Sequence, residues 1–261
     1  MSPDAEKKLW RAGCLNWDGL SASNRVISDR KLTDLMGQLP VSVAALEGRV
    51  ADYFLKRLPV GHRLRLLPDF ATSIGFLDVE TTGLGPRDKL TVVGLWRDGN
   101  LTQFVKGRNL ADFMREWRRI EVLVTFNGRR FDWPVLAREF GLRCEPPHID
   151  LMEEARAHGF IGGLKVIERY LGVTRDETEK GDGMEAVRLW NDYRAGGDIR
   201  CLDKLMRYNA KDVTSLVLLT VWLWRRSMEG YLAPIPSLPK VFCGISSRSL
   251  TTESLNIPPT G

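Results

Sequence analysis

The chain has 261 residues, 43% of them hydrophobic and 27% charged, which is enough to bury one substantial core and a small extra module. A formal net charge of +5 permits a polyanionic partner but is far below that of a protein that coats nucleic acid. MSPDAEKKLW carries acids and lysines where a secretory leader needs an apolar run, so a cytoplasmic setting is expected. Cys14, Cys144, Cys201 and Cys243 are scattered without a CxxC pair, and His62, His148 and His158 supply no zinc pattern, so reduced, packing cysteines are expected.

In chain order, residues 1–68 read as a helical module, most clearly at Val43, Leu46, Val50, Phe54 and Leu58, which recur at steps of three and four. Pro59, Gly61 and Pro68 interrupt that pattern. Three short strands follow, within ATSIGFLDVE, KLTVVGLW and LTQFV, the last two joined through Asp98-Gly99-Asn100. A helix then carries Leu110, Phe113, Met114 and Trp117 on one face, followed by a strand VLVTF, a helix over 133–140 and a short strand HIDL. A hairpin start that passes into alternating strand and helix predicts an α/β mixed sheet with helices packed on it, over 69–228. Residues 229–261, rich in Pro and Ser, read as an irregular tail able to dock through Leu232, Ile235 and Phe242.

The apolar run Val213–Trp224 is about half the ~20 residues of a membrane span, so a core helix is expected and no membrane association. Directly before it, Tyr208 and Asp212 stand four residues apart and share one helical face. Asp78 and Glu80, two apart at the end of a strand, project from one face of the sheet, where two like charges repel unless a cation lies between them. Asp132 follows the polar turn after the VLVTF strand. Taken singly, each has a plain reading: a solvated strand end, a helix N-cap, a buried tyrosine beside a surface aspartate. Taken together, four carboxylates from three element ends form a set able to converge on paired magnesium ions, since hard divalent cations prefer carboxylate oxygens.

LDVETTGL, NGRRFD and YNAKD resemble, in order and spacing, the three exonuclease motifs of the DEDD superfamily with its ribonuclease H-like fold, and the tyrosine marks the DEDDy type. VTFNGRRFD, PHIDL, GGLKVIERYLGV, DGMEAVRLWNDY and LWRAGCLNW are most similar to the bacterial YprB-like proteins. The resemblance implies a five-stranded mixed sheet and two Mg2+ or Mn2+ ions. Asp78, Glu80 and Asp212 would hold the first, Asp78 bridging to a second held by Asp132 largely through water. Tyr208 would position the attacking water, because a phenol with a reference pKa near 10 is a poor base at neutral pH. The implied reaction is 3' to 5' hydrolysis of terminal phosphodiesters to nucleoside 5'-monophosphates, with DNA favoured over RNA.

Substrate contacts implied by the resemblance are Thr81 and Leu84 in the turn facing the terminal nucleotide, together with Asn127. Arg129 and Arg130 sit inside an acidic motif, where cations are needed to hold a polyanion, and Lys165 after Gly162-Gly163 reads either as reaching a phosphate from a helix start or as a solvated lysine after a glycine turn. Asp150 is read as structural, and Lys56, Arg57, Arg63 and Arg65 as either a guide for phosphates or a solvated basic face. The alternatives are an exoribonuclease, a ribonuclease H type endonuclease, and a nucleic-acid-binding module that kept the fold without turnover.

Overall fold

A computed structural model of the chain describes residues 3–20, 26–83, 85, 87–175, 183–229 and 242. Its centre is a five-stranded sheet in the order β3-β2-β1-β4-β5. The strands are β1 (Ile74–Thr81), β2 (Leu90–Arg97), β3 (Asn100–Val105), β4 (Val122–Thr125) and β5 (His148–Asp150). β1, β2 and β3 are antiparallel neighbours, whereas β4 runs parallel to β1 and β5 parallel to β4. This is the mixed α/β arrangement expected from the sequence. The β2–β3 turn has Asp98 at φ 49° and Gly99 at φ 78°, two consecutive left-handed residues. That geometry matches the twist of a two-residue hairpin and explains why Asp-Gly occupies it.

The helices are α1 (Pro3–Arg11), α2 (Asp29–Glu47), α3 (Ala51–Leu55), α4 (Leu67–Phe70), α5 (Phe113–Trp117), α6 (Asp132–Phe140), α7 (Leu151–Ala157), α8 (Leu164–Tyr170), α9 (Gly183–Gly196) and α10 (Ile199–Ser227). Alternation along β1 sorts its side chains between two layers. Leu77 and Val79 join Phe113, Val135 and Leu136 of α5 and α6, while Ile74 and Phe76 join Val213, Leu216 and Leu223 of α10. Asp78 and Glu80 have the parity of Phe76 and so face α10.

α10 is 29 residues long, about 43 Å, and begins at an Asp198 side chain that accepts the Arg200 N–H. Its run Val213–Trp224 buries Val213, Leu216, Val217, Leu219, Thr220, Leu223 and Trp224 in the core. No helix among the described residues is long and apolar enough to cross a membrane.

The helical stripe through Val43 and Phe54 is divided in two. α2 ends at Glu47, and the chain turns at Gly48 and Arg49, the latter at φ 53°. Arg49 reaches Glu121 through Nε at 2.8 Å, the Ser73 hydroxyl at 3.0 Å and the Asp69 carbonyl at 3.2 Å, which fastens this turn to the start of β1. Residues 51–70 share the main core with the sheet, whereas Ala5, Leu9, Cys14, Ile27 and Leu32 form a separate small cluster. From the tail, Phe242 is buried edge-on against Phe76 at 6.0 Å; Leu232, Ile235 and Cys243 lie outside the described residues.

Candidate active site

Asp78, Glu80 and Asp212 each present an oxygen within 4.8 Å of those of the other two. β1 supplies the first two from one face, and α10 supplies Asp212 one turn after Tyr208. A bulge in the β1–β2 ladder falls between Glu80 and Thr81, at the end of the acidic pair. Asp132 stands beside this triplet. It is the first residue of α6, after Phe131 at the N-cap, and its Oδ1 accepts the Val79 N–H at 3.0 Å. The side chain is thus pinned to β1 rather than capping its own helix.

Burial and mutual repulsion set the protonation of these acids. Asp78 is raised well above the ordinary carboxylate range by burial, then by Asp212, Glu80 and Asp132; Glu80 is raised by burial, then by Asp212 and Asp132. Asp132 is raised to about 7, chiefly by burial, against the Val79 hydrogen bond that favours its charge. Asp212 is raised by burial and partly restored by Arg175. Glu80 Oε1 is buried without a hydrogen-bond partner. A buried acceptor left orphaned among like charges, in a donor set made wholly of hard oxygens, fits a divalent cation such as Mg2+ or Mn2+.

Tyr208 is buried, and burial followed by the charges of Asp212, Glu80 and Asp78 holds its phenol well above its ordinary range. Its hydroxyl accepts a hydrogen bond from Lys165 Nζ at 2.9 Å. On the same helix α8, Glu168 holds Arg175 through Oε1 at 2.6 Å and Oε2 at 2.7 Å, and Arg175 also bonds Asp212 Oδ1. Lys165 and Glu168, three residues apart, therefore brace Tyr208 and Asp212, four apart on α10. The sequence reading missed Arg175 and Glu168 because nothing local marks them. It also missed Asn209, inside YNAKD, whose fully buried amide donates to Asp78 Oδ2 at 2.9 Å. A polar helix-interior residue flanking an apolar run was the available signal.

Other sequence candidates are placed as follows. The Thr81 hydroxyl closes its own turn by donating to the Gly83 carbonyl. Leu84 lies outside the described residues. Asn127 adopts φ 60°, its N–H donates to Asp150 Oδ1 at 2.8 Å, and its own Oδ1 is buried without a partner. Asp150 also accepts the Met152 N–H at 3.0 Å, so it caps α7 and braces the turn before α6. Both Arg129 and Arg130 are exposed; Arg129 also donates to the His148 carbonyl at 2.6 Å and pairs with Glu145 at 3.5 Å. The four basic residues at 56–65 are individually engaged, Lys56 by Asp52, Arg57 over the Tyr53 ring, Arg63 by Glu153 and Arg65 by Glu6. Hollows of about 320 to 470 Å³ among the N-terminal helices lie apart from the carboxylates, so chemistry rather than cavity size marks the site.

A mixed sheet in the order 3-2-1-4-5, with acids on its central strand facing the long helix α10, defines a ribonuclease H-like α/β protein. The chain belongs to the family described as RNase_H superfamily, which matches residues 75–224 and so takes in Asp78, Glu80, Asp132 and Asp212. Among solved structures, it is similar to the family B DNA polymerase from the hyperthermophilic archaeon Pyrobaculum calidifontis, with 24% identity and a TM-score of 0.47. That match covers 66% of this chain and 27% of the polymerase. It is also similar to Brucella melitensis NrnC, with 23% identity and a TM-score of 0.41, over 62% of this chain and 77% of NrnC. No curated protein matches it in sequence.

Proposed function

We propose that the protein is a metal-dependent 3' to 5' exonuclease that hydrolyses terminal phosphodiesters and releases nucleoside 5'-monophosphates, with DNA favoured over RNA. The observation that carries this reading is the convergence of Asp78, Glu80 and Asp212 within 4.8 Å, beside Asp132 and Tyr208, in a chain of the RNase_H superfamily. The motif similarity supports placing it with the DEDDy type, nearest the YprB-like proteins. Two magnesium or manganese ions, one held by Asp78, Glu80 and Asp212 and one by Asp78 and Asp132, would neutralise the charge that gathers on the phosphoryl oxygens.

The chain's own residues do the positioning. Tyr208 stays protonated because of its burial and then its acidic neighbours, and its oxygen accepts from Lys165, so its own hydrogen can be donated. It therefore orients the attacking water or a phosphate oxygen instead of removing a proton. Water adds to phosphorus, the bond to the 3' oxygen breaks, and that oxygen leaves with a proton. The buried Oδ1 of Asn127 is suited to accept a hydrogen bond from the terminal nucleotide, and exposed Arg130, ahead of Asp132, to meet the phosphate backbone.

The test is degradation of matched 5'-labelled DNA and RNA oligonucleotides, each with Mg2+, Mn2+ or chelator, beside a circular substrate. Stepwise shortening from the 3' end, release of 5'-monophosphates and faster loss of DNA are expected. Cleavage of the circle would move the protein to the endonucleases. Failure to cut single-stranded, duplex, nicked or gapped substrates with either metal would leave a binding module.

A further inference from the structure

Asp78, Gly94 and Gln103 occupy one row across the first three strands: Asp78 is paired with Gly94, and Gly94 with Gln103. Asn209 of α10 lies over the middle of that row. A Cβ at Gly94 would collide with Asn209 Oδ1 and come within 2.7 Å of Val213 Cγ2, so the glycine is the gap into which this amide fits. Asn209 Nδ2 donates to Asp78 Oδ2 at 2.9 Å and to the Asp78 carbonyl at 3.2 Å. On its other side Asn209 Oδ1 accepts from Gln103 Nε2 at 2.9 Å.

The two ends of a side-chain amide have nearly the same shape, so something must decide which end faces Asp78. Two acceptor-only atoms decide it, the Asp78 carbonyl at 3.2 Å from Asn209 Nδ2 and, through Gln103, the Met206 carbonyl. Gln103 Nε2 donates to the Met206 carbonyl at 2.8 Å. The Gln103 atom at that point is therefore its NH2. The Asn209 atom facing it must be the oxygen, and the NH2 of Asn209 must face Asp78. We infer that Gln103, on the far strand β3, is a positioning residue for the metal site: through Asn209 it fixes the rotation of the Asp78 carboxylate. The consequence for metal binding rests on the reading of Asp78 as a ligand, while the orientation of Asp78 does not.

Two substitutions at Gln103 separate this relay from a simple charge effect. Lysine donates only, so Q103K keeps a donor toward both Met206 and Asn209. Glutamate accepts, so Q103E withdraws the donor from Asn209 Oδ1 and sets a carboxylate against it, which opposes the orientation that aims the Asn209 NH2 at Asp78. The residue is half-buried, so either charge has access to solvent. Mn2+ binding to the full chain, measured by calorimetry, should weaken about ten-fold in Q103E, in line with loss of an outer partner of a ligand. In Q103K it should stay within about three-fold of the wild type. Simple electrostatics predicts the opposite order, because the added negative charge attracts the cation and the added positive charge repels it.

Tighter Mn2+ binding in Q103E than in Q103K, or equal binding in both, would overturn the relay. A metal-free crystal structure of Q103E should show the Asp78 carboxylate rotated away from Asn209; an unmoved carboxylate also overturns it. If the wild type binds no Mn2+, the metal reading fails, and the Asp78 rotation in the metal-free crystals still decides the relay.

Discussion

Replacing Asp132 by asparagine should stabilise the metal-free protein and abolish its activity. In the wild type the buried carboxyl of this residue is raised from 3.8 to about 7. Below pH ~4 the carboxyl is protonated in both folded and unfolded chains, and it adds nothing to the pH dependence. As pH rises toward 7 the unfolded chain releases its proton while the folded chain retains it, so stability falls over that window, and above 7 the folded protein carries a buried, repelled charge. A displacement of this size corresponds to roughly 4 kcal/mol. Asparagine avoids it and still offers an oxygen to the Val79 N–H. Without divalent cation at pH 8, D132N should therefore melt about 4 °C or more above the wild type, since each kcal/mol moves the midpoint of a chain of this size by a few degrees. The advantage should shrink at pH 4.5. Addition of Mg2+ should narrow the gap, because a cation at a hundred times its Kd stabilises the wild type by about 2.7 kcal/mol and the variant by less. Melting curves at both pH values, with chelator and with Mg2+, are the assay. A variant no more stable than the wild type at pH 8 in chelator, or an advantage equal at both pH values, would refute the argument.

Buried Glu154 is raised from 4.5 to about 7, chiefly by burial, although Gly61 donates to it at 2.9 Å and Arg63 stands 4.0 Å away. A raised carboxyl destabilises the fold as pH climbs from about 4.5 to 7, so E154Q should gain about 2–3 kcal/mol relative to wild type between pH 4.5 and 8, read from chemical unfolding at each pH. Asp78→Ala and Asp212→Ala should abolish turnover, whereas Tyr208→Phe should retain a measurable rate, lower by about 100-fold, in single-turnover oligonucleotide assays; wild-type rates in Asp212→Ala would sink the metal assignment. Phe242→Ala removes a ring buried against Phe76 and should destabilise by about 3 kcal/mol in chemical unfolding. An unchanged unfolding midpoint would show that this tail residue does not dock.

The strands, the Asp-Gly hairpin and the core character of Val213–Trp224 were legible because they follow from local rules: side chains alternate along a strand, repeat every 3.6 residues on a helix, and turn chemistry is set by one or two residues. The same rules put Asp78 with Glu80 and Tyr208 with Asp212 on shared faces. Arg49 was illegible because its left-handed turn divides a helical stripe that continues across the break, and its partners lie at Asp69, Ser73 and Glu121. The partners of Arg129, Glu145 and the His148 carbonyl, were likewise illegible, because β5 brings them to it from further along the chain.

The strands, the hairpin, the core stretch of α10 and which carboxylates share a face were thus already set in the linear chain, since covalent geometry fixes them over a few residues. What meets those faces was settled by tertiary packing: Asn209 over Gly94 between Asp78 and Gln103, Lys165 on Tyr208, and Arg175 between Glu168 and Asp212. Contacts across separations of up to 131 residues arise from the packing of α8 and α10 on the sheet, and no local periodicity encodes them.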